Sequence, residues 1–424
     1  MGTVRTLSLL AALLALLIAV PPFLDLSWQN ALVNVLIASL FALAFNLLAG
    51  QAGLLSFGHA AYFGVGAFAA LHLMIAVEDG LAFPTPLLPL AGAAAGFLAG
   101  LVAGYFATMR SGVYFALVTL AIAELLHSLA PHLAGTFGGE AGISSMRMPW
   151  GGIVFGSMLE VYYLTLGWVV LCGLGLWAYT RTPFGRLTLA LRDNEQRVRF
   201  LGYDAHRSKV VVFAISAMAS GVAGSLLAIS NETANYSLFA TDVSAQVVLQ
   251  TFVGGSTVFF GPVIGAAIFT LFSFLVSDLT RSWLFYQGLI FVLVMLYAPT
   301  GIGGILYGLV RNRRQIDWSR LAWPALQSVV GGLLVAGGVV FLTESAAVLF
   351  GQDYAARRQG AGALPAYDLF GVSWNPVGVL TWLVPAILLL GGVALLVTGR
   401  RQIDGVKGRR DAPTAEPAPL GGAS

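Results

Sequence analysis

Glu124 and His127 lie three residues apart in the apolar run AIAELLHSLA, a spacing that puts both on one face of a helix. A carboxylate and an imidazole so placed can begin a metal site, as a Glu-x-x-His pair does in di-iron bundles. His59 and His72, both within HAAYFGVGAFAALHL, and Asn46 extend the polar set. Glu124, His59, His72 and His127 would have to converge to hold a metal. The sequence has no HExxH spacing and lacks the second Glu-x-x-His that a di-iron centre requires. No metal is expected. What remains for these residues is hydrogen bonding, to a polar solute in transit or between helices. Both roles stay open for Glu124; His72, near a helix end, reads as structural.

A second concentration of chemistry is LRDNEQRVRFLGYDAH, residues 191–206. Six of its residues are charged (Arg192, Asp193, Glu195, Arg197, Arg199 and Asp204) in a chain that is only 10% charged. Thr182-Pro183 makes an N-cap and first-turn pair. Asp193 with Arg197, and Glu195 with Arg199, are acid-first pairs four residues apart, the favourable order. Leu187, Leu191, Val198 and Leu201 fall near one stripe, and Gly202 is placed for a C-terminal cap. The pattern predicts one short amphipathic helix, either a solvated connector or a docking surface for a soluble partner.

The elements that must carry these residues are apolar. Of 424 residues 58% are hydrophobic, and runs of about the 20 residues that a spanning helix needs recur throughout. Candidate spans are 7–24, 30–49, 58–77, 86–108, 112–130, 161–180, 210–230, 244–258, 260–278, 284–300, 325–350 and 376–399. This describes an all-α, polytopic transmembrane bundle of about ten core spans plus a C-terminal two-helix hairpin. Residues 1–310 read as the main transmembrane domain, 311–399 as the added hairpin and 400–424 as a disordered tail rich in Pro, Ala and Gly. The first run resembles a signal peptide but shows no small-x-small cleavage site, so a retained span is expected. Cys172 is the only cysteine, which excludes an intramolecular disulfide and a cysteine metal cluster.

Charge orients the map. With the N-terminus inside, cytoplasmic segments hold 18 of the 22 Lys and Arg residues, seven of them in 181–209. Both termini are therefore expected inside. Burying six charges in lipid would cost about 15 kcal/mol or more, at roughly 2.5–3.5 kcal/mol each. The block at 191–206 must lie outside the bilayer. RRQID occurs at 313–317 and again at 400–404, each after a span, as the positive-inside bias favours.

Glycine shapes the rest. Gly92, Gly96, Gly100 and Gly104 recur at strict four-residue spacing, which lets two helices pack backbone to backbone. AGQAGLLSFGHAAYFGVGAF (49–68) and VGGSTVFFGPVIGA (253–266) interrupt the helical pattern. Non-helical backbone at membrane depth survives only against protein or water. These passages are either re-entrant elements beside a pathway or tight turns.

Five segments in order carry a resemblance. They are GQAGLLSFGHAAYFGVGAF, YFALVTLAIAELL (114–126), GGEAGI (138–143), TPFGRLTLALRDNEQRVRFLGYDAHRSKVVVFAISAMASGVAGSL (182–226) and FVGGSTVFFGPVIGA (252–266). Together they resemble the LivM-type permease subunit of branched-chain amino-acid ABC importers, a pattern shared by urea and amide importers. The likeness covers roughly residues 30–310. Such permeases stop near a segment like APTGIGGIL (298–306), so it leaves the last 115 or so residues unexplained.

The resemblance implies a bacterial inner-membrane subunit and makes 181–209 a coupling segment. Arg192, Asp193, Glu195, Arg197, Arg199, Gly202 and Asp204 would face an ABC ATPase. Asn46, Gly53, His59, Glu124, Gly254, Gly255 and Gly261 become candidate pathway or gating residues. It also implies two ATPase subunits, a second LivH-like permease, a periplasmic binding protein and surrounding lipid, with no nucleic-acid partner. The chain has no GxxxxGK[ST] phosphate loop, so it should carry no cofactor, with ATP bound by its partners. The expected function is passage of branched-chain amino acids or related small amides. Urea or short-amide import is the alternative. An intramembrane enzyme and a secondary transporter are further readings, the latter without a visible inverted repeat.

Overall fold

The structure is a computed structural model, described over residue 12 and residues 14–312, 318–361 and 364–411. Among the described residues its regular structure is helical except for two short antiparallel ribbons. Two compact units divide the chain. The first comprises residues 1–278 and 287–307, and the second residues 279–286 and 308–424.

The first unit is built around two helices. Helix α1 (Leu26–Asn46) has polar residues in its first turns, is apolar beyond Asn34 apart from Ser39 and Asn46, and is buried along most of its length, as expected of a helix enclosed by others. It carries on as a wider π turn over Leu47–Gln51. Helices α2 (His59–Glu78), α3 (Pro89–Ala107), α4 (Val113–Leu129) and α5 (Met158–Arg181) follow. Two short helices, α6 (Pro183–Asp193) and α7 (Glu195–Phe200), lead into the second central helix, α8 (Ala205–Asn231). Helix α8 packs on α3, α2 and α1, and α1 packs on α5 and on the later helices α9 (Thr241–Gly254) and α10 (Gly261–Val276). A ribbon of β1 (Ile143–Ser144) and β2 (Thr233–Ala234) joins the loops at one end.

The four-residue glycine repeat on α3 meets α8 as expected. A methyl group at Gly96 would lie 2.5 Å from the Ala217 carbonyl oxygen, and one at Gly92 would lie 2.0 Å from Ser225 Oγ. Residues Leu98, Val102 and Phe106 stand exposed along the same helix. The helix thus offers small residues to protein and large apolar ones outward, as a membrane helix does.

Length and composition qualify eight described helices as membrane spans, or nine if a pair bent by 45° counts as one. That pair is α11 (Trp283–Tyr297) and α12 (Gly301–Asn312), which replaces the straight span expected at 284–300. The spans expected at 244–258 and 260–278 are α9 and α10. With 14 and 16 residues they reach about 21 and 24 Å, short of the roughly 30 Å of hydrocarbon. They form a hairpin closed by Gly254, Gly255 and Gly261. A methyl group at Gly254 would lie 2.2 Å from the Gly261 carbonyl oxygen. The expected span at 7–24 is described only in part, with a short apolar helix over Leu14–Phe23.

The second unit holds α13 (Trp318–Leu349), α14 (Gln352–Ala361), a β3–β4 hairpin (Tyr367–Leu369 and Val372–Trp374) and α15 (Val379–Asp411). Helices α13 and α15 approach through Gly331 and Gly392, where a methyl group on either would sit within 2.8 Å of the other's carbonyl oxygen. Phe341, Tyr354, Tyr367 and Leu369 make a small core at one end. Glu344 Oε1 accepts hydrogen bonds from Thr280 Oγ1 at 2.5 Å and Tyr286 Oη at 2.7 Å. Helix α15 continues to Asp411, into the segment expected as a tail; residues 412–424 and the first RRQID copy lie outside the described residues.

Candidate functional site

The segment between α5 and α8 is organised by three successive N-caps. Thr182 Oγ1 accepts from the Gly185 amide at 3.0 Å, Asn194 Oδ1 from Arg197 at 3.0 Å, and Asp204 Oδ1 from Arg207 at 3.1 Å. The middle cap corrects the expectation of one helix. Asn194 is extended, with φ −161° and ψ 101°, so it ends α6 and begins α7. Asp193 and Arg197 therefore sit on different helices, and no ion pair joins them. Four residues span one helical turn only where the helix is unbroken.

The other expected pair forms. Glu195 Oε1 meets Arg199 Nη2 at 2.6 Å, and Glu195 Oε2 meets Lys209 Nζ at 2.5 Å. Only 6% of the Lys209 side chain is exposed, so this carboxylate neutralises a buried ammonium. Burial raises the Glu195 pKa, but hydrogen bonds and charge from Lys209 and Arg199 outweigh it and hold the carboxyl below its ordinary value. At Asp204, the backbone hydrogen bond from Arg207 leads in lowering the pKa.

Gly202 closes α7. It has φ +85°, its amide donates to Arg199 O at 2.9 Å, and Tyr203 N donates to Val198 O at 3.3 Å. This pair of bonds is the Schellman arrangement, which needs a residue at ease with positive φ. Leu187, Leu191, Val198 and Ala205 pack together beneath. Leu201 does not join them and is 68% exposed. It lies beyond the last turn of α7, where the helical stripe no longer sets direction. Phe200, Leu201 and Tyr203 thus stand out together, Phe200 at 91% exposure, beside the exposed arginines 197, 199 and 207. Aromatic and aliphatic anchors among arginines are the composition of protein interfaces.

The opposite side of the segment is tied to the first break in the bundle. Arg192 Nη1 donates to the Gly50 carbonyl, and Gln51 Nε2 donates to Gly185 O at 3.1 Å. Gly53 has φ +71°, and a Cβ there would lie 2.8 Å from Arg192 Cγ. A Cβ at Gly50 would strike Asn46 Oδ1 at 2.1 Å and Ser256 O at 2.6 Å. So Arg192, Gly53 and Asn46, singled out for different reasons in the sequence, meet around one π turn. Such turns recur at functional sites.

The non-helical backbone after that turn is largely buried, with Gly53 exposed. Phe57 N donates to Thr119 Oγ1 at 3.2 Å, and Ala60 N to Ser244 Oγ at 2.9 Å. His59 is buried beside them. Ser216 Oγ donates to Ala44 O at 2.6 Å, so His59 Nε2, 2.9 Å from that oxygen, is the donor to it. One imidazole thereby joins α2, α8 and α1.

Glu124 lies elsewhere. It is exposed on α4 and accepts a hydrogen bond from Thr241 Oγ1 at the start of α9. His127 packs on Tyr236, and His72 Nε2 donates to Thr136 O at 2.7 Å. The four candidate ligands do not converge, and among the described residues no group of three or more His, Cys, Asp or Glu is placed to hold a metal.

A cleft that the sequence reading missed opens where α1, α9 and α10 meet. It holds about 270 Å³ and is lined by Asn30, Asn34, Gln246, Thr270, Ser273 and Ser277, with Ala31 and Phe274. The signal was present: Asn30 and Asn34, and Thr270, Ser273 and Ser277, each recur at helical spacing in apolar runs.

Comparison with known proteins places this architecture. A family model described as the permease component of branched-chain amino acid transport systems matches residues 27–299. The chain belongs to that family of ABC importer permeases and is a multi-pass membrane protein. It is 29% identical over 329 residues to the high-affinity branched-chain amino acid transport system permease protein LivM of Escherichia coli K12, covering 71% of this chain and 76% of LivM. A stretch of 93 residues is 32% identical to the L-arabinose transport system permease protein AraH of the same organism, covering 22% of this chain and 27% of AraH. The autoinducer 2 import system permease protein LsrC of Escherichia coli O9:H4 is 27% identical over 169 residues, 38% of this chain and 48% of LsrC. No solved structure matches the chain.

Proposed function

We propose that this chain forms part of the translocation pathway for branched-chain amino acids or closely related small amino acids, in a bacterial inner membrane with both termini cytoplasmic. The likeness to LivM supports the substrate class; urea or a short amide is the second reading. Separate ATPase subunits seat on α6 and α7, a second permease completes the pathway, and a periplasmic binding protein delivers the solute. The chain itself performs no chemistry.

One observation carries the reading. The α6–α7 segment exposes Phe200, Leu201 and Tyr203 on one side and grips the π turn of α1 through Arg192 on the other. A push on the outer face would travel by hydrogen bond to the break at 47–58, where Asn46 and Gly53 sit and His59 follows. In this reading Glu195 holds the segment rigid rather than touching the ATPase.

Phe200 and Leu201 are largely solvent-exposed, so replacing them should leave folding intact. Phe200→Asp with Leu201→Asp is expected to abolish co-purification of the ATPase while membrane insertion stays normal. An undiminished ATPase yield from the double variant, together with unchanged uptake, would remove the docking role.

A further inference from the structure

The cleft between α1, α9 and α10 lies at the end of the bundle away from α6 and α7. Asn30 and Asn34 belong to the first turns of α1, and Gln51, which touches Gly185, to its far end. At 1.5 Å per residue the two places are about 30 Å apart.

Its chemistry is unlike that of the surrounding helices. Many helical hydroxyls elsewhere turn back on their own backbone: Ser39 donates to Val35 O, Ser220 to Ser216 O, Ser225 to Gly221 O and Thr343 to Val339 O; Ser216 and Thr251 instead reach Ala44 O and Ala42 O on α1. Thr270, Ser273 and Ser277 make no such bond, although Thr270 Oγ1 is buried. The Gln246 amide is likewise uncommitted among the described residues. Asn34 Nδ2 donates to Asn30 O and Oδ1, both at 3.0 Å, which leaves Asn30 Nδ2 and Asn34 Oδ1 available. Buried polar groups are normally satisfied; Thr270 Oγ1 is buried and is not, and with the part-buried or exposed amides and hydroxyls around it it makes a cleft of unspent donors and acceptors that points to a polar occupant. No lining residue carries a formal charge.

We propose that this cleft is a reception site for the transported solute, a small zwitterionic amino acid. The amides and hydroxyls receive its carboxylate and ammonium groups, and Phe274 and Ala31 receive its side chain. Neutral dipoles suit a zwitterion and hold it weakly, as passage requires that a bound solute can leave. A solute with net charge would meet no compensating partner and is disfavoured. The inference rests on the permease reading and adds a location to it.

The test uses the full chain, isolated with the subunits that accompany it and reconstituted in liposomes, with radiolabelled leucine as probe. Gln246→Leu and Ser273→Ala should each raise the leucine KM about fivefold to tenfold, the loss expected for one hydrogen bond. Solute-independent ATP hydrolysis should not change. In a Cys172→Ser background, Ser273→Cys gives a single thiol in the cleft, and leucine should slow its labelling by a small methanethiosulfonate. Unchanged KM in both variants with labelling indifferent to leucine would overturn the proposal while leaving the permease reading standing. Loss of the second permease from either variant would overturn it too, marking the cleft as an assembly surface. If the wild-type assembly moves neither leucine nor urea nor acetamide, the permease reading itself falls, and the cleft proposal with it.

Discussion

At the scale of single residues, Glu195 is the most constrained charge in the α6–α7 segment. It neutralises the buried Lys209 and also holds Arg199. Glu195→Ala leaves the ammonium with only Ser111 Oγ, at 3.2 Å. The expected loss is about 1–3 kcal/mol, the usual penalty for stranding a buried polar partner, read as a lower unfolding temperature in detergent. The pH dependence has a definite sign. The folded pKa of Glu195 is depressed, so its contribution is fully present above the ordinary glutamate value and fades as pH falls through the lower folded value. Protection factors of amides 195–209, taken against the intrinsic exchange rate at each pH, should therefore fall on acidification through that range, and Glu195→Gln should flatten the response. An identical acid response in the variant would assign the effect to another group. The pairing with Arg199 was legible from spacing alone. The pairing with Lys209 was not, because it closes across the turn at 201–204 that sets α8 beside α7.

At the scale of elements, helix-to-helix approach is decided by glycine. Helix α3 meets α8 at distances that leave no room for a methyl group at Gly96. Gly96→Leu should lower stability by about 1–3 kcal/mol or more by overpacking, whereas Gly175→Leu, which meets nothing within 4 Å, should be tolerated. Thermal unfolding of both purified variants distinguishes a packing surface from a generally glycine-rich one. The repeat of small residues was readable because its period matches the helix. The division of 183–200 into two helices was not, since Asn194 is compatible with a helix interior and becomes a cap only when the chain turns. The hairpin of α9 and α10 was partly legible: their apolar runs looked like spans, but the glycine-rich passage 253–266 marked a turn or re-entrant element, and Gly254 meets Gly261 only seven residues on.

At the scale of the whole molecule, the family match ends at residue 299, and the second unit takes most of its residues from beyond that point. A chain ending at Tyr307 is expected to insert and to retain the ATPase proposed to seat on α6 and α7, with reduced stability in detergent. Glu344→Ala should reproduce part of that reduction, about 1–3 kcal/mol, because Thr280 and Tyr286 lose their shared acceptor. Failure of the shortened chain to recruit an ATPase would make the second unit part of the coupling machinery.

Composition and period were enough to establish a polytopic helical membrane protein and the small-residue face of α3, and they set the expectation that its charged segment lies outside the lipid. These follow from local rules: apolar length, the expense of charge in hydrocarbon, and helical spacing. Meetings between distant residues followed only from folding. Arg192 on the Gly50 carbonyl, His59 between three helices, Glu124 at the margin and the polar cleft at Gln246 all depend on which helices become neighbours. Periodicity records which face a helix buries and carries no information about what that face is buried against.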